Sequence, residues 1–454
     1  MNGEVSMKKK ALLAVLLAMT LLLSSCALVV KDEEVDAATV ILKLGDREIT
    51  KAEVQSATND VLYEMYQYYA MYGSSLDISD PEVIAQAQAS AVEDLKQDMT
   101  LRAKAEELGL NELTEEEIAT MEETAQNSLD NARSYIQMYY LEDPDLEGEE
   151  LENAIQAKLD EFGVSLDTYK ETAKDSIVEQ KLFDYATQDV EVPDEDVKAD
   201  YDEKVAADEE KYKEDAASWT TADRKKATTL YYTPAGIRRV KQILVKFKAD
   251  DQTAIDDANA KITDANSRVT TAEAVIDDPD AAEEDKTQAQ ADLETAQADL
   301  EAAQAELDKA TETAFANLDE DVDAILDALK ADPDSWDTLM AEKNEDTGLQ
   351  EGAANAEKGY AVCESMTDFD AAFVEAAMAL EKVGDHSDKI RGVYGYYIIK
   401  YVSDDQEGPV DYDAVKDALH DALLSSKKNE VYNATVDQWI SEAGIQENLG
   451  ALNN

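Results

Sequence analysis

Apolar residues recur every three or four positions through much of the first half of the chain, which is the spacing of amphipathic helices. Ahead of these helices, Val40–Leu44 and Arg47–Ile49 flank a Gly-Asp turn and predict a short β-hairpin. Helix starts are indicated at Thr50 with Glu53, at Ser79-Asp80-Pro81-Glu82, and at Thr114 with Glu117. The pattern therefore predicts a mainly helical domain over residues 39–230.

A seven-residue repeat distinguishes residues 252–316. Ile255, Ile262, Val269 and Ile276 lie seven apart, Asp278-Pro279-Asp280 interrupts the series, and Leu293, Leu300 and Leu307 resume it, with alanines interleaved. Aliphatic and Ala heptads that are split by a proline turn predict two antiparallel helices, a coiled-coil hairpin. Such a hairpin is either an arm that contacts a partner or a spacer without one, and the sequence leaves both open.

Two apolar segments with strand character flank this repeat, one at 238–247 and one at 393–401. A further helix is predicted near the end of the chain, within residues 408–445, which contains the apolar residues Val415, Leu419, Leu423, Val431 and Trp439. The predicted fold class is therefore α+β. Its helical part has N-terminal helices and a returning C-terminal helix, and its smaller α/β part carries the hairpin as an insert.

The N-terminus has the order of an export signal. Lys8-Lys9-Lys10 precedes an apolar run from Ala11 to Leu23, which is too short for a membrane span of about 20 residues. The sequence Leu23-Ser24-Ser25-Cys26 resembles the bacterial lipobox, and this resemblance implies cleavage before Cys26 and its lipidation. We therefore predict a signal peptide at 1–25, a tether at 26–38 and an extracytoplasmic, membrane-anchored lipoprotein. The alternative is an uncleaved anchor helix.

Composition excludes several functions. The chain has 103 Asp and Glu against 41 Lys and Arg, and its formal net charge of -62 argues against nucleic-acid binding, because phosphate contacts need basic residues. Two His and two Cys leave no ligands for a zinc finger or a His-rich metal site. We predict no metal and no cofactor.

The segments around the heptads resemble the parvulin-type peptidyl-prolyl isomerases. The resemblance lies in the strand containing Gln242-Ile243-Leu244-Val245, the helix from Phe373 to Leu380, Gly384 to Ser387, and the strand Gly395 to Lys400. It implies a parvulin-like domain over 237–402 with the insert at 252–316. The wider plan resembles the exported foldases related to PrsA and SurA, which implies that the C-terminal helix packs on a helical chaperone domain.

Carried over residue by residue, this resemblance implies a proline pocket formed by Phe373 and Met378, with Phe369 or Met366 as a third wall. Asp346 falls near the substrate amide. Gln242 and Tyr397 replace the two histidines of the family, and their hydrogen-bonding groups can maintain a network beneath the pocket. The resemblance therefore implies catalytic roles for Asp346, Gln242 and Tyr397, in a weak isomerase or a domain that only binds.

Tyrosine and methionine recur on two predicted helices, around 63–72 and 135–140. They form either a surface that binds unfolded clients or ordinary core packing, and the sequence leaves both open.

The leading hypothesis is a folding factor whose partners are newly exported polypeptides with X-Pro segments. The alternatives are a non-catalytic holdase of the same fold, a solute-binding lipoprotein, and a structural surface protein built on the hairpin.

Overall fold

The computed structural model describes residues 33–453 except 142, 144, 145 and 227. The predicted mixture of many helices with small antiparallel sheets is confirmed. The described chain divides into two compact units. The first contains the residues up to Glu191 and from Leu424 onwards, and the second runs from Val192 to Leu423.

The first unit is mainly helical. Its elements are α1 (Glu33–Ala37), β1 (Val40–Leu44), β2 (Arg47–Thr50), α2 (Lys51–Met71), α3 (Pro81–Leu108), α4 (Glu115–Tyr139), α5 (Gly148–Glu161) and α6 (Leu166–Thr187). The helix starts that the sequence predicts at Thr50 and Thr114 are confirmed. Each Thr side chain accepts a hydrogen bond from the backbone N–H three residues on. The carboxylates of Glu53 and Glu117 in turn accept one from the backbone N–H of the Thr at 2.7 Å.

The second unit is built around a sheet. Its elements are α7 (Asp194–Tyr212), α8 (Ala216–Lys225), β3 (Tyr232–Thr233), β4 (Arg238–Lys246), α9 (Ala249–Asp277), α10 (Glu283–Ala316), α11 (Asp319–Ala331), α12 (Trp336–Lys343), β5 (Tyr360–Val362), α13 (Ala371–Ala379), β6 (Ile390–Gly392), β7 (Gly395–Asp404) and β8 (Gly408–Pro409). Residues 192–230, which the sequence pattern groups with the preceding helices, belong to this unit, because Tyr212 and Trp219 pack into its core.

The last helix, α14 (Tyr412–Ala443), starts in the second unit and ends in the first, where β9 (Gln446–Glu447) follows it. Within the first unit, Val436 is buried against Leu101 and Leu182, with Tyr432 and Trp439 packed beside them. Strand β9 pairs antiparallel with β1, giving a three-stranded sheet of order β2-β1-β9.

The principal sheet of the second unit has the order β5-β4-β7-β6, with all neighbours antiparallel. Gln242 lies opposite Ile399 and Leu244 opposite Tyr397, so these four side chains share one face. On the other face, Ile243 and Ile398 join a core with α11 and Trp336. Both faces are thus covered, and the first carries the cleft described below.

Helices α9 and α10 pack side by side in opposite directions. The pairs Lys261–Glu306 and Arg268–Asp299 connect them, and Ala265 and Ala296 are among the buried alanines between them. At the base, Phe315 stacks edge-on against Phe247 and lies 4.8 Å from the ring of Tyr396. The two long helices are therefore anchored on the face of the sheet that lies opposite the cleft.

Within the described ranges, no helix combines the length and the apolar character needed to cross a membrane. Cys26, the predicted signal peptide at 1–25 and most of the tether lie outside the described residues.

Candidate substrate cleft

A cleft of about 380 Å³ opens over the face of β4 and β7. It is lined by Gln242, Leu244, Lys246, Asp346, Thr347, Tyr360, Asp368, Phe369, Asp370, Phe373, Val393, Tyr394 and Tyr397. These residues come from the central strands β4 and β7, the edge strand β5, the start of α13 and the loop before it, the turn between β6 and β7, and the loop after α12. The fold therefore assembles in one cleft residues that lie more than a hundred positions apart in the sequence.

Four aromatic rings form a continuous wall. Tyr360 meets Phe369 at 5.2 Å between ring centroids, Phe369 meets Phe373 at 5.4 Å, and Phe373 meets Tyr397 at 5.5 Å, each pair nearly perpendicular. Edge-to-face packing is favourable because the positive edge of one ring faces the negative face of the next. The contacts also fix the rings, so the wall is rigid and apolar.

Two arginines hold this wall from behind. Arg238 donates to the carbonyl oxygens of Ala377 and Leu380 at 2.7 and 2.9 Å, which satisfies the C-terminal end of the helix that carries Phe373. The guanidinium of Arg224 lies 4.7 Å from the ring centroid of Phe369 and bonds to Asp368. Helix position and ring orientation are thus both constrained.

Asp346 is the centre of a polar network on the floor of the cleft. Its carboxylate accepts hydrogen bonds from Gln242 Nε2 at 2.7 Å, from the Tyr360 hydroxyl at 3.0 Å and from the backbone N–H of Gly348 at 2.9 Å. Burial, and then the charge of Asp346, raise the pKa of Tyr360, so its hydroxyl stays a donor. Charge-assisted bonds of this kind hold the carboxylate in one orientation.

Tyr397 belongs to a different pair. Burial, followed by the nearby charge of Asp370, raises the pKa of the Tyr397 hydroxyl. Asp370 also caps α13 by accepting from the N–H of Ala372 at 3.0 Å. Gln242 pairs with Ile399 and Tyr397 pairs with Leu244, so the two side chains are not directly opposite each other in the sheet. Gln242 bonds Asp346, Tyr397 lies near Asp370, and the described contacts show no hydrogen bond between Gln242 and Tyr397.

Gln242 is 7% exposed, and its Oε1 atom has no hydrogen-bond partner in the described structure. The amide is oriented by the carboxylate of Asp346, which can only accept from its nitrogen. The Oε1 atom is therefore a buried acceptor without a hydrogen bond among the described residues.

Five of the residues that the sequence places in the site line this cleft, namely Asp346, Gln242, Tyr397, Phe373 and Phe369. Met366 and Met378, which the resemblance places in the pocket wall, are not among the lining residues. Met366 is buried in the core beneath, and Met378 packs at the edge of that core. Met378 follows Phe373 by five residues, about 140° further round the helix, so the two side chains point in different directions.

Sequence reasoning missed Tyr360, Asp370, Val393 and Tyr394. The signal for Asp370 was its place directly before an apolar helix, where Asp is a preferred cap. Val393 and Tyr394 were included in a predicted strand, whereas the structure has them in the turn before β7. The cleft can thus bind a small apolar ring against the aromatic wall and place an adjoining amide beside fixed polar groups.

No family model matches the chain. It is similar to the foldase protein PrsA of Clostridium perfringens, at 28% identity over 181 residues. That alignment includes 39% of this chain and 46% of the relative, so it spans about half the length of that protein. A second relative, the foldase protein PrsA of Clostridium botulinum strain Langeland, is 22% identical over 427 residues, or 93% of this chain and 92% of its own length.

Two solved structures are also similar. The crystal structure of PrsA from Bacillus subtilis is 17% identical, with a TM-score of 0.19 and coverage of 90% of this chain and 92% of that one. The foldase protein PrsA of Streptococcus pneumoniae is 14% identical, with a TM-score of 0.25 and coverage of 91% and 97%. TM-scores this low do not establish a shared arrangement, so the relationship rests on the sequence matches. These matches confirm the predicted resemblance: the chain is similar in sequence to the foldase protein PrsA.

Proposed function

We propose that this protein is an extracytoplasmic folding factor that binds X-Pro segments of unfolded, newly exported polypeptides in the cleft and accelerates their cis/trans isomerisation. The observation that carries the proposal is the juxtaposition of a rigid aromatic wall with the Asp346 network in one cleft. The names of the sequence relatives support it, since they are foldases.

The chemistry asks little of the protein beyond binding. An X-Pro bond interconverts over tens to hundreds of seconds because twisting the amide breaks its conjugation. A catalyst lowers this barrier by binding the twisted amide more tightly than the planar one, and each 1.4 kcal/mol of such preference is worth about tenfold in rate. No bond is made and no proton has to move.

Each part of the cleft has a place in this scheme. Phe369, Phe373 and Tyr397 would hold the proline ring and keep water from the amide. Asp346 would lie beside the amide in a fixed orientation, because Gln242 and Tyr360 hold its carboxylate. Gln242 would thus act as a positioning group and Tyr397 as part of the aromatic wall, and neither role needs an imidazole.

The test is exchange spectroscopy on an Ala-Pro tetrapeptide, measured with the wild type and with Phe373→Ala. We expect acceleration by the wild type and a loss of at least tenfold in kcat/KM in the variant. Phe373 is buried, so circular dichroism must show that the variant folds, and Phe369→Ala supplies a second, less buried site. The matched control is Phe162→Ala, which changes a 45% exposed ring in the other unit. A wild-type protein that leaves the exchange rate unchanged would remove catalysis from the proposal.

A holdase activity is the second candidate, and exposed rings of the first unit support it. Two separate groups of exposed side chains, together called the tyrosine surface here, lie on two helices. The first group, on and just after α2, is Tyr63, Tyr66, Tyr68, Tyr69, Met71 and Tyr72, and the second, on and just after α4, is Tyr135, Met138, Tyr139 and Tyr140. Their exposed fractions run from 38% to 71%, so these side chains do not form the core. Clustered apolar groups on a surface mark binding sites, and Met and Tyr suit varied clients.

This second activity is separable by mutation. Replacing Tyr68, Tyr72, Tyr135 and Tyr139 together by Ser should weaken suppression of aggregation of a denatured client while the Ala-Pro exchange rate is retained. A variant with Ser at the exposed Tyr185, elsewhere in the unit, serves as the control. Unchanged suppression by the fourfold variant would exclude the tyrosine surface as the holding site.

We further propose that residues 1–25 are an export signal and that lipid on Cys26 holds the protein at the membrane. A net charge of -62 favours an acyl anchor, because anionic head groups repel an acidic protein. Labelled fatty acid should enter the wild type and not Cys26→Ser, which should also be released into the medium.

The α9–α10 pair is proposed to be the predicted coiled-coil insert of a parvulin-like domain.

A further inference from the structure

Two apolar side chains stand exposed at the mouth of the cleft. Val393 and Tyr394, here called the lip, lie in the turn between β6 and β7 and are 61% and 62% exposed. Both line the cleft together with Phe373 and Tyr397. The apolar surface of the cleft therefore continues outward beyond the aromatic wall.

The backbone of the lip is fixed rather than free. The N–H of Val393 donates to Asp370 at 2.8 Å, and the carbonyl of Tyr394 accepts from Phe247 at 3.0 Å. Gly395 follows at a φ of +142°, where a Cβ would lie 2.1 Å from the carbonyl oxygen of Val245. Since the turn is bound on both sides, the backbone that carries these two side chains is preorganised.

We propose that the lip is a specificity site which binds a bulky apolar residue next to the proline, so that the cleft favours X-Pro segments with an apolar flank. This inference rests on the proposed function, because the ligand is the same segment. Continuity supports it. A chain whose proline ring lies on Phe373 must leave the cleft past its rim, and the lip is apolar surface at that rim.

The physical consequence is selection for unfolded chains. Bulky apolar residues are mostly buried in folded proteins and become accessible in unfolded ones. A site that requires both a proline and an apolar neighbour would therefore favour segments that have not yet folded. In an enclosed apolar pocket, one methylene group of a substrate changes kcat/KM by about 10- to 200-fold. The lip is largely exposed, so we expect it to raise kcat/KM for a substrate with an apolar flank by only about fivefold.

The test compares three peptides with the full chain: Ala-Ala-Pro-Ala as reference, Ala-Leu-Pro-Ala, and Ala-Ala-Pro-Leu. Exchange spectroscopy gives kcat/KM for each. We expect at least one Leu peptide to exceed the reference about fivefold, and Val393→Ser and Tyr394→Ser to reduce that ratio to below about twofold. Val383→Ser is the matched control, because Val383 is 59% exposed but is not a cleft residue, and it should keep the wild-type ratio.

The outcomes separate the two proposals. If the wild type accelerates none of the three peptides, the isomerase function fails and the lip loses its role with it. If the wild type accelerates all three equally, or if the lip variants keep the preference, the isomerase function stands and the lip is not its specificity site. A lowered ratio in Val383→Ser would also overturn the inference, because the effect would not depend on the lip.

Discussion

Arg239 is the best place to test what holds the sheet of the second unit together. Its side chain is 5% exposed and lies between two carboxylates. One terminal nitrogen bonds Asp223 of α8 at 2.6 Å, and Nε bonds Asp405 at 2.8 Å. The guanidinium thus ties helix α8 and the end of β7 to β4. We predict that Arg239→Met strongly destabilises this unit.

The magnitude follows from what the substitution leaves behind. Removing one partner of a buried ion pair costs about 3–5 kcal/mol, because the remaining charge keeps its desolvation penalty. Here two carboxylates lose their shared partner, and among the described side chains Asp223 keeps its ion pair with Lys226 alone. We therefore expect the free energy of unfolding at pH 7 to fall by about 3–5 kcal/mol. Arg268 is the matched control, since it also bridges two Asp residues but is 43% exposed, and Arg268→Met should cost far less.

The dependence on pH gives a second readout. Burial alone would raise the pKa of Asp223, but the bonds from Arg239 and Lys226 outweigh it and hold that pKa below its ordinary value. In the wild type this stabilisation is present above pH about 4 and is lost as pH falls through the folded-state pKa. In Arg239→Met only Lys226 still opposes the effect of burial on Asp223, so protonation relieves part of the cost of burying its charge. The deficit should therefore be largest at pH 7 and smaller at pH 4.

Urea unfolding followed by tryptophan fluorescence measures both effects. A Trp439→Phe background removes the tryptophan of the other unit and leaves Trp219, 5.7 Å from the Arg239 guanidinium, and Trp336. The reasoning is refuted if Arg239→Met is no more destabilising than Arg268→Met, or if its deficit is the same at both pH values.

Three further predictions follow from the contacts. Gly359→Ala should lower the free energy of unfolding by about 2 kcal/mol or more, because φ is +81° and a Cβ would lie 2.4 Å from the carbonyl oxygen of Val240. Gly352 has a similar φ but open space around it, so Gly352→Ala should lower it less in the same urea assay. Tyr360 and Tyr397 should still be protonated above pH 10, because the pKa of each hydroxyl is raised. In a titration followed by tyrosinate absorbance, Tyr360→Phe and Tyr397→Phe should therefore keep the full absorbance change that develops around pH 10. A smaller change in either variant would contradict the raised pKa values. Ala265 is fully buried between α9 and α10, so Ala265→Leu should lower the free energy of unfolding by about 1–3 kcal/mol through overpacking. Ala298 is exposed, and Ala298→Leu should leave stability unchanged. Equal melting temperatures for the two variants would show that the alanines are not close-packed.

Local patterns were enough to predict much of the architecture. The capping boxes at Thr50 and Thr114 depend on residues three apart, and the long helices at 249–277 and 283–316 depend on a seven-residue spacing, so both are visible in sequence. Strand β9 has two residues and pairs with β1 some four hundred positions away, a contact for which the local pattern holds no signal.

The candidate site shows the same division. Phe373 and Gln242 could be found because they fall within segments that resemble a known family. The separate partners of Gln242 and Tyr397 depend on strand register, and the exposure of Tyr394 depends on where a turn begins. Hydrogen-bond pairing and turn geometry are set by tertiary contacts, so residue type alone could not predict them.

The two ends of the α9–α10 pair lie close together. Lys248 donates to the carbonyl of Asn317 at 2.8 Å, and the Asn317 side chain bonds Asp251. Strands β4 and β7 must find each other across a long intervening stretch of chain, and the entropy lost in closing such a loop grows with its length. Because helices joined by a short turn can form from local contacts, the pair can assemble early and draw its flanking segments together. The α9–α10 pair therefore adds less to the entropy cost of joining β4 and β7 than an unstructured stretch of the same length would add.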